Sequence, residues 1–353
     1  MGKRTTSGIV LADIAADAAC SVAAVSLVLN PRPDRDPRIS RRTRERILAS
    51  ARKLGYRPNR NAEFLKRGWI PEIGVFLPDF GNNLMLDLIK GCCVSAKEEA
   101  FSLSFCFDDA SADLGAFLAE AAARRNCALL IYPRQDPRNA GEELRRYCAS
   151  GGKVVLVEPQ GPAVRCPLPE LPRVFLDDGL GGKLVADHLL EQGCRKFVIY
   201  GDGRTRVSAF VEQIEKKKCR FTHFSMKNDP AAIIAEIRSF GADTGVFCTL
   251  DTLAVSLHTA LLTEGIIPGR DIKLCGYDCL FPLNRLTPKL TSVFQPFREL
   301  GFRAVKMLID QVYGRTVENL TFLPELVPQE STLGRGKTDT GKSPSPQNTR
   351  RRQ

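Results

Sequence analysis

Between Ile73 and Asp278 short apolar runs alternate with longer stretches of helical period, and this alternation restricts the fold more than any other property of the chain. The runs IGVFLP (73–78), SLSFCF (102–107), CALLIYP (127–133), KVVLVEP (153–159), KFVIYGD (196–202), TGVFCTL (244–250) and IKLCGYD (272–278) are largely continuous in polarity. Strands buried on both faces, as in parallel sheets, read this way. Residues 84–101, 114–125, 181–193 and 251–265 between them read as helices. The expected fold class is α/β, a two-lobed core of parallel sheets. Ligands in such sheets bind beyond the carboxyl ends of the strands.

The first 68 residues obey a different pattern. They carry 15 Lys and Arg against 6 Asp and Glu, and residues 334–353 carry 6 against 1, which leaves −3 of the chain's net +11 for everything between. A basic segment of that size points to a polyanion, with nucleic acid first, although a solvated basic surface is the other account. Leu11, Ile14, Ala15 and Ala18 fall on one helical face. Ser21 offers an N-cap for a second short helix from Val22 to about Asn30, with only Ala19 and Cys20 between the two. A pair joined so tightly is a helix-turn-helix, whose second helix can enter a major groove. A third helix is expected from Arg41 to Leu54, with Ile47, Leu48, Ala51 and Leu54 as its apolar stripe and Gly55 ending it.

DIAADAACSVAAVSLVLN, followed by TRERILASARKLGYRPNRNAEFL, resembles the DNA-binding headpiece of the LacI/GalR family of transcription regulators. The resemblance implies phosphate contacts from Ser21 and Ser26, with Asn30 ending the recognition helix and Val22 and Ala23 where base edges are read. It implies that Thr43 and Arg44 cap and anchor the third helix against the DNA backbone, and that Tyr56, Pro58 and Asn59 open a hinge. Residues 61–65, Ala62 among them, would form a helix only on an operator, with Leu65 as the wedge that enters the minor groove. A linker residue touching nothing specific is the other account of Leu65. Departures are informative too. The family's turn glycine is Ala19, which costs about 1 kcal/mol if the backbone stays left-handed. Val22, Ala23 and Leu27 cannot donate hydrogen bonds, Glu63 replaces a hinge arginine, and a longer loop adds Arg32, Arg35 and Arg38. Such a binder leans on phosphates and DNA shape.

The core resembles the same family's periplasmic-binding-protein-like body, through GVFCTLDTLAVSLHTALLTEGIIPGRDIKLCGYD, the segment after it and LPELVPQEST near the end. Carried over position by position, the resemblance implies effector contacts from Arg206 in RVSAF and Asp278 in GYDC, from Glu158 and Asp251, and from Leu84 and Met85 at places where aromatic residues commonly stack. Charged anchors are thus expected to remain while stacking and amide contacts are lost. The structural account of the anchors is an internal ion pair of Arg206 with Asp278 or Glu158, and plain packing for Leu84 and Met85.

Competing chemistries find little support. Gly201-Asp202-Gly203 lacks a third glycine and a phosphate-cradling helix start, so no dinucleotide loop is expected. There is no G-x-S-x-G, and neither a catalytic residue nor a cofactor is assigned. The twelve cysteines form no C-x-x-C pair and the three histidines lie far apart, so no metal is expected; buried thiols in a reducing cytoplasm fit better. The expected organisation is a headpiece over 1–57, a hinge over 58–69, the two-lobed effector and dimerisation core over 70–333, and a disordered basic tail over 334–353. The resemblance implies a cytoplasmic homodimeric repressor on a pseudo-palindromic operator, with no membrane association, whose grip a small polar, sugar-like effector modulates. The alternative is a small-molecule sensor with degenerate or nonspecific DNA binding.

Overall fold

A computed structural model describes residues 9–29, 39–56, 70–78, 83–108, 114–124, 126–132, 141–158, 171–280 and 285–334. The chain divides into two units, Met1–Ile70 and Pro71–Gln353.

In the first unit α1 (Leu11–Asp17) and α2 (Val22–Leu29) meet at 109°, and α3 (Arg41–Lys53) packs on both. Ile14, Ala15, Ala18, Val25, Val28, Ile47 and Ala51 form the core of this small bundle. The expected stripe of α3 needs one correction. Leu48 is 40% exposed, and Ser50 is buried in its place. The buried set Ile47, Ser50, Ala51 and half-buried Leu54 follows the spacing i, i+3, i+4, i+7, and Leu48 lies a full residue step round the helix from it. The cap is also a correction: Ser40 accepts from the Thr43 N–H, and the Thr43 hydroxyl meets the Ser40 hydroxyl at 2.9 Å. Gly55, with φ +66°, turns the chain out of α3, and the Tyr56 N–H closes the last turn on the Ala51 carbonyl.

The second unit has two lobes. The first contains β1 (Ile70–Pro78), α4 (Asn83–Glu98), β2 (Ser102–Asp108), α5 (Leu114–Ala123), β3 (Asn126–Ile131), α6 (Gly141–Ala149), β4 (Lys153–Glu158) and β5 (Arg173–Leu176). The second contains α7 (Asp178–Glu191), β6 (Lys196–Tyr200), α8 (Arg204–Lys216), β7 (Arg220–Phe224), α9 (Pro230–Phe240), β8 (Thr244–Cys248), α10 (Asp251–Thr263), β9 (Lys273–Cys275) and β10 (Ser292–Phe294). The chain then returns to the first lobe for α11 (Phe297–Val312) and β11 (Leu320–Phe322), and crosses again to β12 (Glu325–Val327) and α12 (Glu330–Leu333). The sheets run β11-β5-β4-β3-β1-β2 and β7-β6-β8-β9, with β10 and β12 forming an antiparallel pair. Three crossovers therefore join the lobes, after β5, after β10 and after β11. The first and third are tied by the Asp177 N–H on the Phe322 carbonyl at 3.0 Å.

Among the described residues every cysteine is a free thiol, no cluster of metal-ligating side chains is present, and no single helix is long and apolar enough to cross a membrane.

Candidate functional site

In the first unit the exposed side of α2 begins with Ser21, Val22 and Ala23. The Ser21 hydroxyl accepts from the Ala24 N–H at 3.1 Å, which caps the helix and leaves its outer lone pair free for a further donor. Val22 is 49% exposed. Ser26 and Leu27 are half-buried, and Arg44 is exposed on α3. Tyr56 packs against the bundle core. Asn30, Asn59, Ala62 and Leu65 lie outside the described residues, as do Glu63 and the loop arginines 32, 35 and 38.

The turn between α1 and α2 has a support that sequence reading did not find. Ala19 has φ +45°, so it keeps the left-handed conformation despite its Cβ. The Arg46 Nη2 donates to the Ala18 carbonyl at 2.7 Å and to the Ala19 carbonyl at 3.0 Å, satisfying acceptors left open at the end of α1. In sequence Arg46 is one of several arginines early in α3, and only the folded turn distinguishes it. Replacing Ala19 with glycine is expected to relieve about 1 kcal/mol of strain. Hydrogen exchange of the α1–α3 amides should slow accordingly; unchanged or faster exchange would show that Arg46 has already absorbed the strain.

In the second unit a polar cluster is assembled from residues that follow the carboxyl ends of strands. Asp178 opens α7 after β5, Arg206 lies in the first turn of α8 after β6, Thr249 follows β8, Tyr277 and Asp278 follow β9, and Gln295 follows β10. From the first lobe Tyr132, just beyond β3, stacks on Phe297 at 6.4 Å; burial pushes its phenol up, and the charges of Asp178, Arg206 and Asp278 also act on it. Two of these residues, Asp178 and Gln295, flank the first and second crossovers.

Arg206 is held on several sides. Its Nη2 donates to Asp178 Oδ1 at 3.1 Å and Oδ2 at 2.9 Å, its Nε to Oδ2 at 3.3 Å, and its Nη1 to the Thr249 carbonyl at 2.8 Å. The guanidinium lies 3.8 Å from the centre of the Tyr277 ring, and the Tyr277 hydroxyl donates to Asp178 Oδ1 at 3.2 Å. The principal partner is thus Asp178, and Asp278 comes second at 3.8 Å. The cause is the close approach of α7 and α8: a Cβ on Gly182 would sit 2.0 Å from the Arg206 carbonyl oxygen, and one on Gly181 2.0 Å from the Tyr277 hydroxyl. Glycine at 182 lets the two helices meet so tightly, and glycine at 181 makes room for the Tyr277 ring beside them.

Asp278 accepts from the Gln295 Nε2 at 2.7 Å, and burial pushes its carboxyl up to about 8 although Arg206 pulls the other way. Its φ of +110° and the +49° of Cys279 are strained for residues with a Cβ, at a cost of about 1–3 kcal/mol each. Fully buried Asp251 clasps this turn, accepting from the Leu280 N–H at 2.8 Å and the Ser292 hydroxyl at 2.7 Å, and burial raises its carboxyl to about 7. Leu84 and Met85 are buried in the first turn of α4. Glu158 ends β4, and its side chain lies outside the described residues.

Two expectations change. A helix does start after Gly203, at Arg204, and Gly203 caps it with φ +125° while the Arg206 stem packs over it. Aromatic and amide groups are present in the cluster, supplied by Tyr277, Tyr132, Phe297 and Gln295 from positions the sequence comparison did not single out.

Residues 10–59 match the family model described as bacterial regulatory proteins, lacI family, and residues 186–332 match that of a periplasmic binding protein-like domain. The HTH-type transcriptional regulator RegA of Clostridium saccharobutylicum is 25% identical over 337 residues, covering 91% of this chain and 98% of that protein. The fold matches the crystal structure of the Lac repressor dimer bound to operator and the anti-inducer ONPF, with a TM-score of 0.74 at 20% identity over 93% of this chain and 100% of the other. It also matches a complex of the transcriptional regulator CelR with cellobiose, with a TM-score of 0.60 at 20% identity, over 92% of this chain and 99% of that one.

Proposed function

The chain belongs to the LacI family of bacterial regulatory proteins, and from that premise we propose that it is a transcription regulator, a repressor whose hold on DNA answers to a small polar molecule bound between the two lobes. The observation that carries this reading is the placement of the polar cluster. Arg206, Thr249, Tyr277, Asp278 and Gln295 follow strand ends of the second lobe, Asp178 follows β5 of the first, the charges of the cluster reach Tyr132 of the first lobe, and Asp178 and Gln295 flank two of the crossovers. A ligand that changes the pairing there changes the relative free energy of lobe arrangements, and its binding is linked to whatever those arrangements control.

In the first unit α2 would lie in the major groove, with Ser21 and Ser26 on phosphates and Val22 and Ala23 against thymine methyls. Thr43, Arg44, Tyr56 and Asn59 would border the backbone and hinge, Asn30 would end the reading helix, and Ala62 and Leu65 would belong to the hinge helix in the minor groove. Arg206 and Asp278 are the proposed effector anchors. Leu84, Met85 and Glu158 would line the cavity, and Asp251 would shape the turn that carries Asp278. The active species is a homodimer on a pseudo-palindromic operator. Large apolar side chains exposed on the second unit, Leu86 and Val94 of α4 and Phe105 and Phe107 of β2, support a surface that a second copy covers.

A second reading is favoured by the exposure of Val22 on α2, beside Ala23: a sensor whose headpiece grips DNA without reading it. Selection of duplexes from a random pool by the full chain at near-physiological salt separates the two. Enrichment of a pseudo-palindrome is expected. Retention of DNA without enrichment, lost steeply as salt rises, would establish the second reading.

A further inference from the structure

We propose that Arg46 is a positioning residue for sequence reading: it fixes the direction in which α2 leaves α1, without itself touching DNA. This rests on the DNA-binding reading of the first unit and adds a residue that lies outside the reading helix. α1 ends in a Schellman motif. The Cys20 N–H donates to the Ala15 carbonyl at 3.0 Å and the Ala19 N–H to the Ala16 carbonyl at 3.3 Å, with Ala19 in the left-handed place that glycine usually fills. The motif supplies no donor to the Ala18 and Ala19 carbonyls, and Arg46 Nη2 serves both, at 2.7 and 3.0 Å. A cation at the carboxyl end of a helix is favoured by the helix dipole as well. Two residues beyond Ala19, Ser21 caps α2, and Ser21, Val22 and Ala23 are exposed where reading begins. So short a link has no slack. The dihedral angles of Ala19 and Cys20 decide where α2 points, and Arg46 holds the carbonyls on either side of the strained residue.

The other ties of the bundle make this effect local. Lys53 Nζ meets Asp17 Oδ1 at 2.7 Å and fastens the end of α1 to α3, while Val25 and Val28 keep α2 in the core. Loss of Arg46 therefore releases the turn and tilts α2 rather than dismantling the bundle. Among the described residues Arg46 is the one arginine of α3 that bonds outside its own helix: Arg41 pairs with Glu45, and Arg52 donates to the Leu48 carbonyl. Arg42 and Arg44 are exposed and present their charge outward. Range decides what a tilt would do. Hydrogen bonds to phosphate and contacts with thymine methyls weaken within about 1 Å of displacement. The attraction of Arg42 and Arg44 for a DNA backbone acts over roughly 10 Å. A tilted α2 thus loses discrimination and keeps its general hold on DNA.

The test uses the full chain and two probes, the duplex that the wild type selects from a random pool and the unselected pool itself, from about 50 to 200 mM salt. Arg46→Met should lose about tenfold in affinity for the selected duplex and less than about threefold for the pool. Its slope of log affinity against log salt should match that of the wild type. Glycine in the left-handed place should repair the turn, so Arg46→Met combined with Ala19→Gly should return to within about threefold of wild type on the selected duplex. Equal losses on both probes, a slope shallower by about one and no rescue by glycine would make Arg46 a phosphate contact and overturn the proposal. An undiminished preference for the selected duplex in Arg46→Met also overturns it and leaves the DNA-binding reading standing. A wild type that prefers no duplex overturns both this proposal and the specific-regulator reading. Circular dichroism and melting temperatures show whether each variant has folded. Should Arg46→Met fail to fold, Arg46→Gln, neutral but still a donor, takes its place under the same expectations.

Discussion

Arg206→Ala is expected to cost the second unit about 3–5 kcal/mol of unfolding free energy, because it leaves Asp178 buried without its counter-charge and withdraws the cation nearest Asp278. Asp178 and Arg206 side chains are 12% and 13% exposed, so water cannot replace the lost partner. Tyr277 would also lose the cation on its ring face and hold its hydroxyl against an unpaired carboxylate. Urea denaturation of the purified variant measures the loss. Asp178→Ala should cost a similar amount, and the double variant should recover much of it, since neither buried charge is then stranded. A loss below about 1 kcal/mol for Arg206→Ala would mean the pair is solvated and comparable to a surface ion pair.

Between pH 6.5 and 8 the second unit should lose stability as pH rises, by about 1.5 kcal/mol through Asp278 alone. Burial raises this carboxyl to about 8 in the folded chain, while an unfolded aspartate releases its proton near pH 4, at about 3.9. The folded state therefore binds the extra proton, and unfolding free energy falls until the pH passes the folded value. Asp251, raised by burial to about 7, adds to the fall at the lower end of the window. Buried His188 and His258, held below the ordinary imidazole range by desolvation, act in the opposite direction while an unfolded histidine still holds part of its proton, an opposition that fades by about pH 7.5. Buried thiols, raised by burial, act in the same direction near and above pH 8. Unfolding profiles of the wild type and Asp278→Asn isolate the carboxyl from these groups: their difference should shrink the slope by about 1.5 kcal/mol over the window. Parallel profiles would show that Asp278 stays ionised throughout.

Much of the fold could be read in the sequence because both faces of its central strands are buried. IGVFLP, CALLIYP and KVVLVEP cannot be anything solvated, and each becomes a strand. β7, RFTHF, is not among the runs read as strands because, as an edge strand, it has charged and polar positions, and the three-residue β10, β11 and β12 are too short to carry a period. In the first unit the two-helix turn followed from spacing alone. The misplacement of Leu48 came from treating neighbouring apolar residues as one face. Within the cluster, Arg206 and Asp278 were legible through their motifs, but the partner of Arg206 was not. Asp177 and Asp178 read as an ordinary helix start, and indeed Asp177 caps α7. What brings Asp178 to Arg206 is the approach of two helices through Gly182, with Gly181 leaving room for Tyr277, a tertiary event. The Gly-Gly pair in LDDGLGG was the available signal, since two glycines near the start of a helix make sense only if something passes close by.

The threefold crossing between lobes has a consequence for how the polypeptide is made. The first lobe receives β1 to β5 early, but its helix α11 and its edge strand β11 begin to emerge from the ribosome roughly 120 and 145 residues later. At bacterial elongation rates that is a wait of about six to thirty seconds. The sheet, β6 to β9 with their helices, forms one uninterrupted stretch and can close while its neighbour is still incomplete. The part that begins first is therefore finished second, and during the interval the apolar edge that β11 will cover, and the face of α4 that α11 will cover, stand open to chaperones.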